Sequence, residues 1–423
     1  MRALRSGNRI VVIPRKHLDI GLTDLIYAVA SCLKREDRHA IERRIETLWT
    51  GDGNSLVCLS VRSGFDALLG ALNWPQGSEV QVSALTIGDM PRIIEAHGLV
   101  PIPVDLDPRD LSVSVDSLRR ALSPRTKAIL VAHLFGSRMP MEPILEFAKS
   151  HGLLVIEDCA QAYAADDYRG DRESDVSLFS FGAIKTASAL QGAILHFHDS
   201  SLKQKVQLHQ DGWPVQTQQQ FLARVAKYGL LVILAHRPIY SLFVLICRCA
   251  AIDHDRLIAN SVRGFAGEHF FRRIRRRTCA ALLSLLERRL TRYDRREIIE
   301  RIAAARLANR LLPWLERPGD QAKDHSYWLY PVLHDDPDEL TEFLRCHGFD
   351  ATRGASSMCV VEPPPDRPEL RAANAQPICN RLLYLPVHSR TSRRDIERLA
   401  HCLTQFEAIH GHKIAEPTTA ALT

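Results

Sequence analysis

Leu153-Leu154-Val155-Ile156-Glu157-Asp158-Cys159-Ala160-Gln161 is an apolar run that ends abruptly in adjacent acids. Gly152 stands just before it and closes a helical pattern over Met141 to His151. A short apolar run between a helix stop and a polar turn reads as a buried strand. The same alternation extends upstream. Glu79 to Leu85, Val100 to Val104 and Ala128 to Leu134 read as strands, with helices over Asp89 to His97, stopped by Gly98, and over Val115 to Leu122. Downstream, Val176 to Ser180 and Gly192 to Phe197 are further strands. Strands alternating with helices predict crossover connections and a mainly parallel sheet with helices on both faces. In such sheets ligands sit at the carboxyl ends of strands, where Asp158 and Ser180 both fall.

The rest of the chain frames this α/β unit. With 423 residues, 46% hydrophobic and 25% charged, it has room for a large domain and a smaller one. The expected division is an N-terminal segment 1–50, a large domain 51–300, a small α+β domain 301–411 and a disordered tail 412–423. In the last domain His325 to Val332 and Arg381 to Pro386 read as strands, and Asp338 to His347 and Ser392 to Glu407 as helices. A net charge of +6 is too mild to argue for nucleic acid. Ten cysteines at scattered spacings, with no Cys-x-x-Cys, fit reduced thiols better than a disulfide framework or a metal site. Ile10 to Pro14 is too short for a signal-peptide core, so a cytoplasmic protein is expected.

Residues 205–270 depart from the α/β rhythm. Gly229 to Ala235 and Ile239 to Cys247 are strongly apolar, with His236-Arg237-Pro238 between them and the basic run Arg272 to Arg277 beyond. Neither run reaches the roughly 20 residues a membrane-crossing helix needs. Two readings stand: a helical hairpin packed on the protein, or a segment lying in a membrane interface beside anionic headgroups. Charged Arg237 and Arg248 favour the first.

Phe179-Ser180-Phe181-Gly182-Ala183-Ile184-Lys185 places a hydroxyl and an amine in one loop after a strand. With Asp158 at another strand end, this suits pyridoxal 5'-phosphate (PLP), whose aldehyde needs a lysine and whose ring nitrogen needs a carboxylate. Gln161 is placed to reach the phenolic oxygen of the ring. Ser63, in Arg62-Ser63-Gly64-Phe65-Asp66-Ala67-Leu68, reads as the N-cap of a helix whose free N–H groups would take a phosphate. Taken singly, each has an ordinary alternative: a solvated lysine, a turn-capping acid, a surface amide, a simple helix cap. There is no G-x-G-x-x-G after a strand and no P-loop, which weakens the dinucleotide and nucleoside-triphosphate readings.

The ordered set resembles the DegT/DnrJ/EryC1/StrS aminotransferases. It comprises Ser63-Gly64…Ala67-Leu68, Pro124 to Ile129, His133-Leu134-Phe135-Gly136, Val155 to Ala162 and Phe179 to Lys185, with Leu383 to His388 as a closing strand. The resemblance implies PLP-dependent transferase fold type I, a homodimer, and a reaction that moves an amino group from an amino acid, with glutamate the expected donor, to a keto or aldehyde acceptor. A nucleotide-linked keto sugar is the first such acceptor. It also implies catalytic roles for Lys185 and Asp158, a ring contact from Gln161, and a phosphate site built from Ser180 with the backbone of Gly64 and Phe65. The family's usual Thr or Ser is Phe65 here, and Ile87 follows Thr86 where an aromatic usually stacks on the ring. Arg276 or Arg277 stands where a residue would reach a neighbour's phosphate, and Arg353 is a surface ion-pair residue or an anion contact. The alternative function is a catalytically weakened membrane-surface binding or scaffold protein on the same fold. No metal is expected.

Overall fold

The computed structural model describes residues 11–262, 265, 269–354 and 357–410. The expected tail 412–423 lies outside them. Two helices, α1 (Leu22–Leu33) and α2 (Arg38–Trp49), precede the first strand. The α/β unit then runs β1 (Ser55–Cys58), α3 (Val61–Leu72), β2 (Glu79–Ser83), β3 (Leu85–Ile87), α4 (Asp89–Ala96), β4 (Val100–Val104), α5 (Val115–Ala121), β5 (Thr126–Ala132), β6 (Ser137–Arg138), α6 (Glu142–His151), β7 (Leu154–Asp158), β8 (Val176–Ser180) and β9 (Ala193–Phe197). Seven of these strands form one sheet in the order β1-β9-β8-β7-β5-β2-β4. The pairs from β8 through β4 are parallel, and β9 is antiparallel to both β8 and β1.

The alternation that marks a two-faced sheet is explicit in β8. Phe179 points into a core shared with α1, α2 and residues of Ala280–Thr291, while Leu178 points into the core beneath α3 and α4. Trp49, Tyr163, Phe179 and Phe181 pack edge-on in the first core, with ring centroids 5.1–6.2 Å apart. Gly152 ends α6 at φ 64°, and Gly98 takes φ 71° just past α4. Both are left-handed positions that glycine fills without strain, as their place in the sequence predicts.

Between Ser200 and Thr291 the chain forms six helices among the described residues: α7 (Ser200–Asp211), α8 (Gln218–Leu234), α9 (Arg237–Cys249), α10 (His254–Val262), α11 (Phe270–Ile274) and α12 (Ala280–Thr291). Pro238, at the second position of α9, breaks the path, and α8 and α9 meet at 92°. No single helix among the described residues is long and apolar enough to cross a membrane. α9 seats Tyr240 and Val244 against Val12, and Arg237 pairs with Asp395 at 2.7 Å.

The last part of the chain holds α13 (Arg296–Leu311), β10 (Asp324–His325), β11 (Pro331–Leu333), α14 (Pro337–Cys346), β12 (Met358–Val360), α15 (Ala375–Arg381), β13 (Leu382–Tyr384) and α16 (Arg393–His410). Its core gathers Ala305, Tyr330, Leu340, Phe349 and Phe406. Ile13 joins this core and bridges to Phe349, so the N-terminal segment is anchored here. The strand expected over His325 to Val332 is two short strands with a bend between them. Tyr327 sits at φ 48°, and the Trp328 indole N–H donates to the Ile184 carbonyl at 2.9 Å. That bond and the burial of Trp328 outweigh the period-2 pattern.

Candidate active site

Lys185 sits in a hairpin-like return from β8 to β9. The Phe181 N–H donates to the Gly192 carbonyl at 2.9 Å, and the Lys185 N–H to the Gly182 carbonyl at 3.0 Å. Ser180 Oγ and Lys185 Cγ converge on Gly182: a methyl group there would lie 3.6 Å from the first and 3.8 Å from the second, both ordinary contacts. The expected pairing of hydroxyl and amine in one folded loop is therefore present. The Lys185 Nζ is buried 4.0 Å from the Trp328 ring centroid. Burial pushes this amine down to about 7, against the pull of the Asp158 carboxylate, and the Arg62 charge pushes it the same way. A lysine in that range is roughly half in its neutral, nucleophilic form at neutral pH, against well under 1% for an ordinary lysine.

Asp158 ends β7, flanked by Ala132 of β5 and Leu178 of β8. Burial raises its carboxyl above the usual range, opposed by the Ala160 N–H at 2.9 Å and by the charge of Lys185. It is thus a buried carboxylate near a buried amine, with an oxygen left for a cationic ring nitrogen. Gln161 is also buried. Its Oε1 accepts the Phe135 N–H at 2.8 Å, leaving the amide NH2 for a ligand.

Beside Asp158 lies a network that sequence reading did not anticipate. Glu157 Oε1 accepts from His133 Nε2 at 2.8 Å and from Tyr168 Oη, and its other oxygen accepts from the Asp171 N–H and Ser174. His133 Nδ1 accepts the Met139 N–H at 3.1 Å, which assigns the ring proton to Nε2. Although burial opposes it, the His133 bond holds the Glu157 carboxyl down at about 2. His133, Glu157 and Cys159 are close enough together to resemble metal ligands, but these bonds already occupy the imidazole and the carboxylate.

The phosphate region needs correction. Ser60, not Ser63, caps α3: its Oγ accepts the Ser63 N–H at 3.1 Å. The Gly64 N–H is spent on the Ser60 carbonyl, and Phe65 lies one position further inside the helix. Neither backbone group is at a free helix start, because the helix begins a turn earlier than the Ser63 reading places it. Gly64 instead serves packing, since a Cβ there would meet Leu195 Cδ1 at 2.4 Å. Phe65 is core, and Ile87 packs against the same core from β3, where it pairs with Met358. Neither lines the cleft beside Lys185, and neither do Asp158, Gln161 or Ser180.

Arg62, unnoticed in the sequence, pairs with Asp89, and its charge reaches both Lys185 and Asp158. Arg276 bonds Gln220 at 2.8 Å and Arg277 pairs with Asp211 at 3.0 Å, both within the chain. Arg353 makes the surface ion pair expected of it, with Asp338 at 3.0 Å.

A buried amine and a buried acid at neighbouring strand ends of a parallel sheet have known counterparts. The model of the DegT/DnrJ/EryC1/StrS aminotransferase family matches residues 38–404, most of the chain. The chain belongs to that family. Its relatives include GDP-perosamine synthase of Caulobacter vibrioides, 34% identical over 163 residues, which are 38% of this chain and 44% of the relative. Another is the UDP-N-acetyl-3-dehydro-alpha-D-glucosamine 3-aminotransferase of Acidithiobacillus ferrooxidans, 32% identical over 180 residues, which are 42% of this chain and 48% of the relative. The chain thus aligns with less than half the length of these relatives. Among solved structures, the aminotransferase TlmJ from Streptoalloteichus hindustanus superposes with TM-score 0.67 at 19% identity, covering 93% of this chain and all of that one. NtdA from Bacillus subtilis, solved with bound cofactor PMP, gives TM-score 0.68 at 16% identity, covering 95% and 86%. These likenesses establish the fold of this DegT-family chain as that of the PLP-dependent aminotransferases.

Proposed function

We propose that this DegT-family chain is a PLP-dependent aminotransferase, taking its amino group from an amino acid such as glutamate and giving it to a keto or aldehyde acceptor. The observation that carries the reading is the buried Lys185 amine, which titrates at about 7, near the buried Asp158 carboxylate. PLP, when bound, supplies an electron sink for the bonds at the substrate carbon. Lys185 would hold it, and Asp158 would keep a proton on its ring nitrogen. Once free, the Lys185 Nζ would carry a proton between the substrate carbon and the cofactor's C4′ carbon, in one direction for the donor and in the other for the acceptor. Gln161 offers its amide NH2 to the ring oxygen, and Ser180 its hydroxyl to the phosphate. Phe65 and the spent N–H of Gly64 do not suit the phosphate role, which falls to Ser180 and the charge of Arg62. The GDP- and UDP-sugar relatives favour a nucleotide-linked keto sugar as acceptor.

Purified protein mixed with PLP should develop the visible absorbance of a lysine-bound cofactor and lose it on adding glutamate. Lys185→Ala should show neither. Wild-type protein that stays colourless after PLP is added would overturn the reading, and would favour a weakened binding protein on this fold.

The family resemblance supports a homodimer. We also infer peripheral contact with an anionic membrane surface through the α8–α9 region. α9 buries Tyr240, Val244 and Cys247 and exposes Leu242, Leu245 and Ile246 on the other side. Leu230 and Ile233 of α8 are exposed as well, and Arg256 and Arg272, later in the chain, are exposed cations. Exposed apolar helical residues together with exposed cations suit an anionic lipid surface.

A further inference from the structure

The segment before α1 passes alongside Lys185 and brings a second lysine with it. Lys16 and Lys185 line one cleft, together with Arg301 and Trp328. Lys16 Nζ lies 3.7 Å from the centroid of the Trp328 ring, the ring that also receives Lys185. A cation over an indole gains far less than a buried ammonium loses on leaving water. Lys16 Nζ is buried and has no hydrogen-bond partner among the described residues.

The acids of the cleft are already committed. Asp19 accepts from Arg289 at 3.0 Å, from the Tyr293 hydroxyl at 2.6 Å and from the Ala187 N–H at 2.9 Å. Glu297 accepts from His17 at 3.2 Å and from Ser389. Arg15, the other neighbouring cation, is held by Asp350 and Asp255. Arg301 differs. Its Nε donates to the Ser326 carbonyl at 2.8 Å, but its terminal nitrogens reach only Thr186 Oγ1, at 3.4 and 3.5 Å. No described carboxylate lies within ion-pair distance of Lys16, Lys185 or Arg301. Buried cationic groups without counter-charge are costly unless a ligand supplies it. The missing component of this cleft is negative charge.

We propose that Lys16 and Arg301 form a binding site for an oxyanion of the substrate, a carboxylate or a phosphate, beside the Lys185 amine. An ammonium and a guanidinium with two loosely held nitrogens match the oxygens of either group. The proposal rests on the aminotransferase reading for the identity of the ligand, since amino donors carry carboxylates and nucleotide-linked acceptors carry phosphates. Burial and the charges of Lys185 and Arg301 push Lys16 well below the usual lysine range, and an incoming anion opposes that shift.

The test uses full-length protein saturated with PLP, so that the cofactor's own phosphate site is filled. Glutarate, which has no amine or ketone to react, and inorganic phosphate are titrated separately by calorimetry. At least one should bind. Lys16→Met and Arg301→Met should each weaken that binding about tenfold or more, and Lys16→Arg should restore it to within a few-fold. Binding of glutarate alone assigns a carboxylate, and of phosphate alone a phosphate. The visible absorbance of the bound cofactor in each variant reports that the fold and Lys185 are intact. Wild-type protein that binds neither anion at millimolar concentration, or variants that bind as well as wild type, would overturn the proposal. If wild-type protein takes up no PLP, the aminotransferase reading fails on its own, and glutarate binding to the same variants without cofactor still decides this one.

Discussion

At Lys185 the decisive quantity is the cost of burying a charge. The amine is fully enclosed, and Asp158 only partly offsets the loss of water. The nucleophile is the neutral amine, so covalent attachment of PLP should accelerate as pH rises through the lysine's own midpoint. That midpoint is expected at about 7, far below an ordinary lysine. Stopped-flow absorbance across pH 5.5–9.5 checks this, and a rate still climbing steeply above pH 9 would refute it. The positions of Asp158, which ends β7, and of Lys185, in the loop after β8, were legible from the chain because both strands are short apolar runs. Ser63 was misplaced by one turn. Ser60 and Ser63 are equally good caps by type, and only the position where the backbone turns helical separates them. Lys16 gave no signal, since nothing local distinguishes it from the cations on either side of it.

At the scale of elements, the strands and helices of the α/β unit follow from period and punctuation. Gly98 and Gly152 stop helices where their position implies, and apolar runs become sheet strands within a residue or two. His325 to Val332 shows where this fails: an alternating pattern yields to one indole hydrogen bond and a buried tryptophan. The α8–α9 pair shows a different limit. Its two apolar runs, Gly229 to Ala235 and Ile239 to Cys247, look alike in sequence, and the fold decides which side of each is covered. Replacing outward Leu242, Leu245 and Ile246 together by Glu should leave the PLP absorbance intact, because the buried face is untouched. It should also reduce sedimentation with phosphatidylserine-containing vesicles by about tenfold or more, through lost apolar burial and like-charge repulsion. Wild-type protein that ignores such vesicles would end the membrane reading. A dimer mass that falls to a monomer in the triple variant would assign the face to a second copy instead.

Across the whole molecule, Asp350 is a junction. It is buried and receives Arg15 Nε at 2.7 Å, Arg15 Nη2 at 2.9 Å, His254 Nε2 at 3.3 Å and the Tyr240 hydroxyl. These partners come from the N-terminal segment, α10 and α9, and Arg15 and Arg345 share Asp255. The Arg15 charge and these bonds hold the Asp350 carboxyl well below the usual range against the cost of burial. Asp350→Asn keeps the shape but leaves Arg15 with only Asp255, which it shares with Arg345, and should destabilise the protein by up to about 3–5 kcal/mol. Urea unfolding should show this as a lower midpoint, and a change under about 1 kcal/mol would mean the junction is not structural. The loss should also loosen the segment that carries Lys16.

The sequence by itself determined the parallel sheet, its two covered faces and the strand ends that carry Asp158, Ser180 and Lys185, because hydrophobic period and helix stops are local properties. Tertiary structure alone decided what surrounds them. It placed Trp328 against Lys185, drew Lys16 and Arg301 into the same cleft, and put His133 on Glu157. Those contacts join residues far apart in the chain, and their energies depend on burial and on the sum of nearby charges, which no stretch of sequence contains.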